Sequence, residues 1–211
     1  MINNETAHEP CLLQMPDYVP SDSVSNGAYE DSSRFTVNGR TMRVDNSYQL
    51  EHYHINMATY LQIGKWLDYL KECGVYDNTR IIIVSDHGRT LGQFDDLLVS
   101  EELDVQGYHP ILLVKDFNAG EFSISQEFMT NGDVPLLALE GLVENPVNPF
   151  TGNSIDDTAK KEGRLYITTA ENYDQNPENT IDMTGGVWYT ITGENIFDKN
   201  NWKKVEEPVV E

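Results

Sequence analysis

Between Tyr48 and Gly74 the apolar positions Tyr53, Met57, Tyr60, Leu61, Leu67 and Leu70 recur at close to the helical period, so the pattern predicts one long helix. Gly74 supplies its stop, and Asp77 with Asn78 makes the turn into the next element. The stretch from Arg80 to Gly88 reads Arg-Ile-Ile-Ile-Val-Ser-Asp-His-Gly, a short apolar run that ends abruptly on an acid, an imidazole and a glycine. A buried strand followed by a tight polar turn is the expectation there.

The remaining pattern is coarser. Positions from Asp17 to Asp45 are rich in Ser, Asp, Asn and Gly, with a turn signal at Asn38 and Gly39, and predict an excursion holding at most a short hairpin. Thr90 to Gly107 is acidic and mixed, and Leu91, Phe94, Leu97, Leu98 and Leu103 suggest a short helix-like or lid-like segment. Ile111 to Val114 reads as a strand. Asp133 then has the look of a helix cap, with Pro135 in the first turn and Leu136, Leu137, Leu139 and Leu142 as a buried face. From Asn145 the chain is punctuated by proline, and two strand-like runs, Arg164 to Thr169 and Gly186 to Thr192, predict a small antiparallel appendage ahead of a frayed tail from Glu206 to Glu211. The expected division is thus a main domain over residues 1–144 and an appendage over 145–211.

Asp86 and His87 are the leading candidates for chemistry. In an open sheet of parallel strands, ligands gather beyond the carboxyl ends of the strands, so Asp86 and His87 would project into the site while Gly88 permits the turn. A carboxylate beside a neutral imidazole suits a divalent ion such as zinc or manganese. The plainer alternative is a strand-end turn with no ligand at all.

The residues from Asn56 to Gly88, helix, turn, apolar strand and Ser-Asp-His-Gly in fixed order, resemble the sulfatase branch of the alkaline phosphatase superfamily. They are most similar to membrane-anchored sulfatase-like proteins, the group of lipoteichoic acid synthases and phosphoethanolamine transferases. The resemblance implies an α/β fold, part of an alkaline phosphatase-like sandwich whose mainly parallel sheet is flanked by helices. It makes Asp86 and His87 metal ligands. Thr6, His8 and Pro10 match a Thr-x-His-x-Pro segment of the same family, which makes His8 a substrate-contact residue, and His109, ahead of the next strand, is a second candidate for substrate binding.

The same family carries an acidic ligand on an earlier strand and a threonine, serine or formylglycine-forming cysteine as nucleophile. Thr6 comes too late in chain order for that role, and Cys11 lies in Pro-Cys-Leu-Leu-Gln-Met rather than in Cys-x-Pro-Ser-Arg. The expectation is therefore the carboxyl-terminal part of a metal-dependent hydrolase or transferase of phosphate or sulfate esters, inactive alone because no nucleophile is present, with Mn or Zn bound in the intact parent. The resemblance also implies the extracytoplasmic face of a bacterial membrane. The alternative reading is a noncatalytic interaction module that binds an anionic glycan or a partner chain.

Composition narrows the partners. The 211 residues carry a formal charge of -21, which repels nucleic acid and disfavours docking on an anionic membrane. No run is apolar enough to span a bilayer. The two cysteines, Cys11 and Cys73, are expected to stay as thiols rather than join in a disulfide. His52 and His54 are assigned to surface or packing, because they sit on different sides of the predicted helix. A sheet lacking its first strands would leave an edge uncovered, so self-association is expected.

Overall fold

The structure is a computed structural model that describes residues 2–27, 35–37, 39–101, 103–150, 152–156, 165–170, 172–175, 181–184, 186–192 and 195–206. Two compact units divide the chain. One comprises Met1–Thr79 with Leu91–Phe94 and Phe117–Ala119, and the other Arg80–Thr90, Asp95–Asp116 and Gly120–Glu211.

The first unit is built on α1 (Ser47–Glu72) and two short hairpins, β1 (Leu13–Gln14) with β2 (Val19–Pro20) and β3 (Thr36–Val37) with β4 (Arg40–Thr41). The β3–β4 hairpin turns where the Asn38 and Gly39 signal stands: Gly39 has φ 77°, a left-handed value that glycine adopts without penalty, and Asn38 lies outside the described residues. The Asn46 side chain caps α1 by accepting the Gln49 N–H at 2.9 Å. At the other end Gly74 (φ 69°) lets the chain fold back, with Gly74 N–H donating to Lys71 and Val75 N–H to Leu70.

Burial along α1 is uneven. Gln49, Leu50, His52, His54, Ile55 and Ala58 are buried, all in the amino-terminal half, whereas Tyr60 and Leu61 of the predicted apolar stripe are exposed. Val24, Phe35 and Leu50 form the core, with Leu12, Met42, Val44 and Tyr53 packed around it. Buried Gln49 is satisfied on both ends of its amide: Nε2 donates to the Leu91 carbonyl at 2.8 Å, and Oε1 accepts Asp45 N–H at 2.7 Å.

The second unit corrects the expected fold. β5 (Ile81–Val84) pairs with β8 (Leu112–Lys115) in antiparallel register, Ile81 opposite Lys115 and Val84 opposite Leu112. Every named sheet is small and antiparallel, and the described residues contain two α-helices, so there is no parallel sheet flanked by helices and no alkaline phosphatase-like sandwich. The reason lies between the strands. A parallel pair requires a crossover, usually a helix, but the described residues of 85–111 hold only the hairpin of β6 (Leu98–Ser100) and β7 (Leu103–Asp104) and single 3-10 turns, which return the chain beside β5 in the opposite direction. The segment expected to be helix-like or lid-like is thus mainly a hairpin, with Leu97, Leu103 and Val105 buried. Nor is β5 a wholly buried strand: Ile81 is buried and Val84 is exposed.

The Thr130–Leu139 region matches its sequence signal in part. Asp133 stands at the start of α2 (Val134–Leu139) with Pro135 in the first turn, but its carboxylate reaches back to the Thr130 N–H at 2.6 Å. It thereby closes a 3-10 turn over Asn131–Asp133 instead of capping α2 itself. Leu136, Leu137 and Leu139 are half-buried, and Leu142 is exposed.

The carboxyl-terminal antiparallel sheet is present. β12 (Trp188–Ile191) lies between β9 (Leu165–Thr168) and β13 (Trp202–Val205), and β10 (Asn172–Gln175) pairs with β11 (Ile181–Thr184) as a separate hairpin. The predicted runs at 164–169 and 186–192 supply β9 and β12; β13, β10 and β11 carried no signal strong enough to be anticipated. Residues 207–211 of the expected tail lie outside the described residues. Tyr189 and Trp202 are buried, with Tyr189 Oη and Ser100 Oγ 3.0 Å apart and Trp202 Nε1–H donating to Ile196 at 2.7 Å.

Candidate metal-ligand pair at the end of β5

The turn after β5 is fixed from three directions. Ser85 N–H donates to the Ile111 carbonyl at 3.2 Å, and Ile111 N–H donates to Ser85 Oγ at 2.9 Å, so the antiparallel pairing extends past the strand end. Gly88 N–H donates to Gly107 at 3.0 Å. A Cβ on Gly88 would stand 1.9 Å from the Gln106 carbonyl oxygen, so only glycine fits against that backbone. From the third side Asn131 Nδ2 donates to the carbonyls of Ser85 at 3.0 Å and Asp86 at 2.8 Å.

On this fixed turn Asp86 and His87 point outward, with side chains 89% and 64% exposed. Asp86 Oδ1 accepts the His87 N–H at 2.9 Å. His87 Nδ1 lies 2.5 Å from the Gly88 carbonyl, and a carbonyl can only accept, so in the neutral ring the proton sits on Nδ1 and the lone pair on Nε2. That nitrogen stands 3.7 Å from Asp86 Oδ2. Two donors about 2.1 Å from one tetrahedral ion would be roughly 3.4 Å apart, so the pair is close to the separation at which it could chelate a single cation. A backbone carbonyl holding the opposite ring nitrogen is also the usual outer support of a metal-bound histidine. The two donor types suit zinc or manganese, and their separation is near that of two ligands on one tetrahedral ion. Among the described residues no third His, Cys, Asp or Glu joins it in a metal-sized group.

The antiparallel register carries the His109 backbone to the turn, where its carbonyl oxygen would be 3.0 Å from a Cβ on Gly88, while its ring packs edge-on against Phe197 at 4.7 Å between centroids. Loss of water around that ring pushes the His109 pKa below its ordinary value. His8 belongs to the first unit, with a side chain 71% exposed and Nδ1 3.0 Å from the Glu9 carbonyl.

Compared with protein-family models, curated proteins and solved structures, the chain matches none.

Asn131 and the Gln106–Gly107 backbone hold the pair in place, and sequence reasoning passed over both. Thr130 and Asp133 at capping-box spacing mark the turn that presents Asn131, but nothing local says that the Asn131 amide reaches a strand end about 45 residues earlier. His52 and His54 are both buried, which matches packing and corrects a surface position. The described residues contain no helix long and apolar enough to cross a membrane.

Proposed function

We propose that this chain contributes two ligands, Asp86 and His87, to a divalent-metal site in a hydrolase or transferase of phosphate or sulfate esters. The observation that supports it best is the 3.7 Å separation of His87 Nε2 from Asp86 Oδ2, with Nδ1 engaged by the Gly88 carbonyl. A bound cation would supply Lewis acidity toward an ester oxygen. The chain's own part is to hold a carboxylate oxygen and an imidazole lone pair outward on a turn that backbone hydrogen bonds and the Asn131 amide keep in place. In this reading the remaining ligands and the nucleophile come from polypeptide beyond these 211 residues, and the chain alone turns over no phosphate or sulfate ester.

Calorimetric titration of Mn²⁺ and Zn²⁺ into the chain tests the reading, with Asp86→Ala and His87→Ala as comparisons. A two-donor site predicts weak, saturable binding that both substitutions abolish. Isotherms identical for the native chain and both variants would remove the metal-site reading and favour the noncatalytic interaction module.

A further inference from the structure

Glu9, Cys11 and His52 meet within the first unit in the arrangement of a thiol relay. Cys11 Sγ lies 3.8 Å from His52 Nδ1, a hydrogen-bond distance for sulfur. The opposite ring nitrogen, Nε2, lies 3.6 Å from Glu9 Oε1. Tyr48 Oη–H donates to that same carboxylate oxygen at 3.4 Å, and the Tyr48 ring packs edge-on against the imidazole at 4.6 Å between centroids. Cys11 is 3% exposed and His52 4%, while the Glu9 side chain is 36% exposed.

The division of labour on the ring is the informative part. The Glu9 carboxylate, at ion-pair rather than hydrogen-bond distance, favours a proton on Nε2 electrostatically, which leaves the Nδ1 lone pair facing the thiol. Transfer of the thiol proton to Nδ1 gives a thiolate beside an imidazolium, and the Glu9 charge stabilises the imidazolium at its far side. Low exposure strengthens both electrostatic contacts, and those contacts have to offset the cost of holding the charged pair away from water. An isolated buried cysteine has none of this support and is inert.

We propose that Cys11 is a nucleophilic thiol, activated by His52 and oriented through Glu9, that accepts acyl groups from activated esters. In the step, the Sγ–H proton moves to His52 Nδ1 and sulfur adds to the acyl carbon. A sulfur–carbon bond forms, the ester carbon–oxygen bond breaks, and the leaving oxygen departs as an anion or takes the proton back from Nδ1. The product is a thioester on Cys11 and a free alcohol or phenol. The proposal involves neither Asp86 nor His87 and stands or falls independently of the metal reading.

p-Nitrophenyl acetate on the full chain tests it, with release of p-nitrophenol followed by absorbance and the acetylated cysteine located by peptide mass spectrometry. Cys73, exposed at the carboxyl end of α1, is the internal reference. Neither cysteine is in a disulfide. The expected result at neutral pH is acetylation of Cys11 about tenfold faster than Cys73 despite its burial, with the advantage lost in His52→Gln and reduced in Glu9→Gln. Faster acetylation of Cys73, or an advantage of Cys11 that neither substitution changes, would overturn the proposal. The comparison of the two thiols in the unsubstituted chain decides the matter even if His52→Gln fails to fold.

Discussion

The Asn131 side chain donates from one nitrogen to two successive carbonyls, those of Ser85 and Asp86, at 3.0 and 2.8 Å. This contact ties the 3-10 turn ahead of α2 to the end of β5 and fixes the backbone from which Asp86 and His87 project. Asn131→Ala should cost about 1 kcal/mol in urea denaturation, because the amide is exposed and water replaces part of what is lost. In the metal reading the same variant should weaken Mn²⁺ or Zn²⁺ by about tenfold although neither ligand is touched. Unchanged affinity with unchanged stability would show that the turn needs no such support.

Two glycines predict opposite outcomes. A methyl group on Gly88 would collide with the Gln106 carbonyl oxygen at 1.9 Å, a backbone atom that cannot rotate away, so Gly88→Ala should destabilise by about 3 kcal/mol. Gly64 lies inside α1, where an added methyl group would meet nothing within 4 Å, and Gly64→Ala should stabilise by about 1 kcal/mol through helix propensity. Shifts of the urea midpoint in the same direction for both would contradict this account of the turn.

Arg80 closes the other end of the β5–β8 pair. Its Nε and Nη2 donate to the two oxygens of Asp116 at 2.9 and 3.2 Å. Its Nη1 donates to the carbonyls of Leu137, Ala138 and Glu140 at 3.0, 3.4 and 2.6 Å, satisfying groups that the end of α2 leaves open. Arg80→Met should cost about 2–3 kcal/mol by thermal or urea unfolding. Arg80→Lys should recover little of that, because an ammonium cannot serve the carboxylate and the carbonyls together.

The His109 ring loses water to its surroundings, and its pKa falls below 6.5. The folded chain then binds fewer protons than the unfolded chain as pH drops, so this group's contribution to stability is present above pH 6.5 and is lost as pH falls from 6.5 through the folded value. Proton NMR should place the His109 midpoint below 6.5 and show Phe197→Ala moving it upward, since Phe197 covers one side of the ring. A midpoint at or above 6.5 in the native chain would refute the assignment.

Self-association should appear in sedimentation at rising concentration. The β5–β8 pair is two-stranded with Val84, Leu113 and Val114 exposed, and α1 exposes Tyr60, Leu61, Trp66 and Tyr69. A charge of -21 opposes the contact between copies, so raising salt from about 0.01 M to 0.1 M, which shortens the screening length from roughly 30 to 10 Å, should strengthen it. A strict monomer under both conditions would contradict the expectation.

Local chemistry was legible in the residues. Gly74 ends α1, Gly39 turns the β3–β4 hairpin, and the apolar run after Arg80 is a strand that stops before Ser85 with Asp86 and His87 beyond it. Each depends on backbone freedom, hydrogen-bonding capacity or periodicity within a few residues, which the sequence states directly. The position of Asp86 and His87 just beyond the strand end also needed only the apolar run and Gly88.

Strand direction was not legible, and the fold expectation failed on it. An apolar run such as Ile81–Val84 reads the same beside a parallel or an antiparallel neighbour, and only the path of residues 85–111 decided that β8 would return antiparallel. For the same reason the sequence named Glu9, Cys11, His52 and Asn131 but could not say what they meet. The Cys11–His52 contact spans 41 positions and the Asn131–Asp86 contact 45, distances over which no local preference acts. The sequence by itself determined where elements begin and end and which side chains were on offer. The tertiary structure alone decided which of them came together, because packing between distant segments, not backbone propensity, sets those contacts.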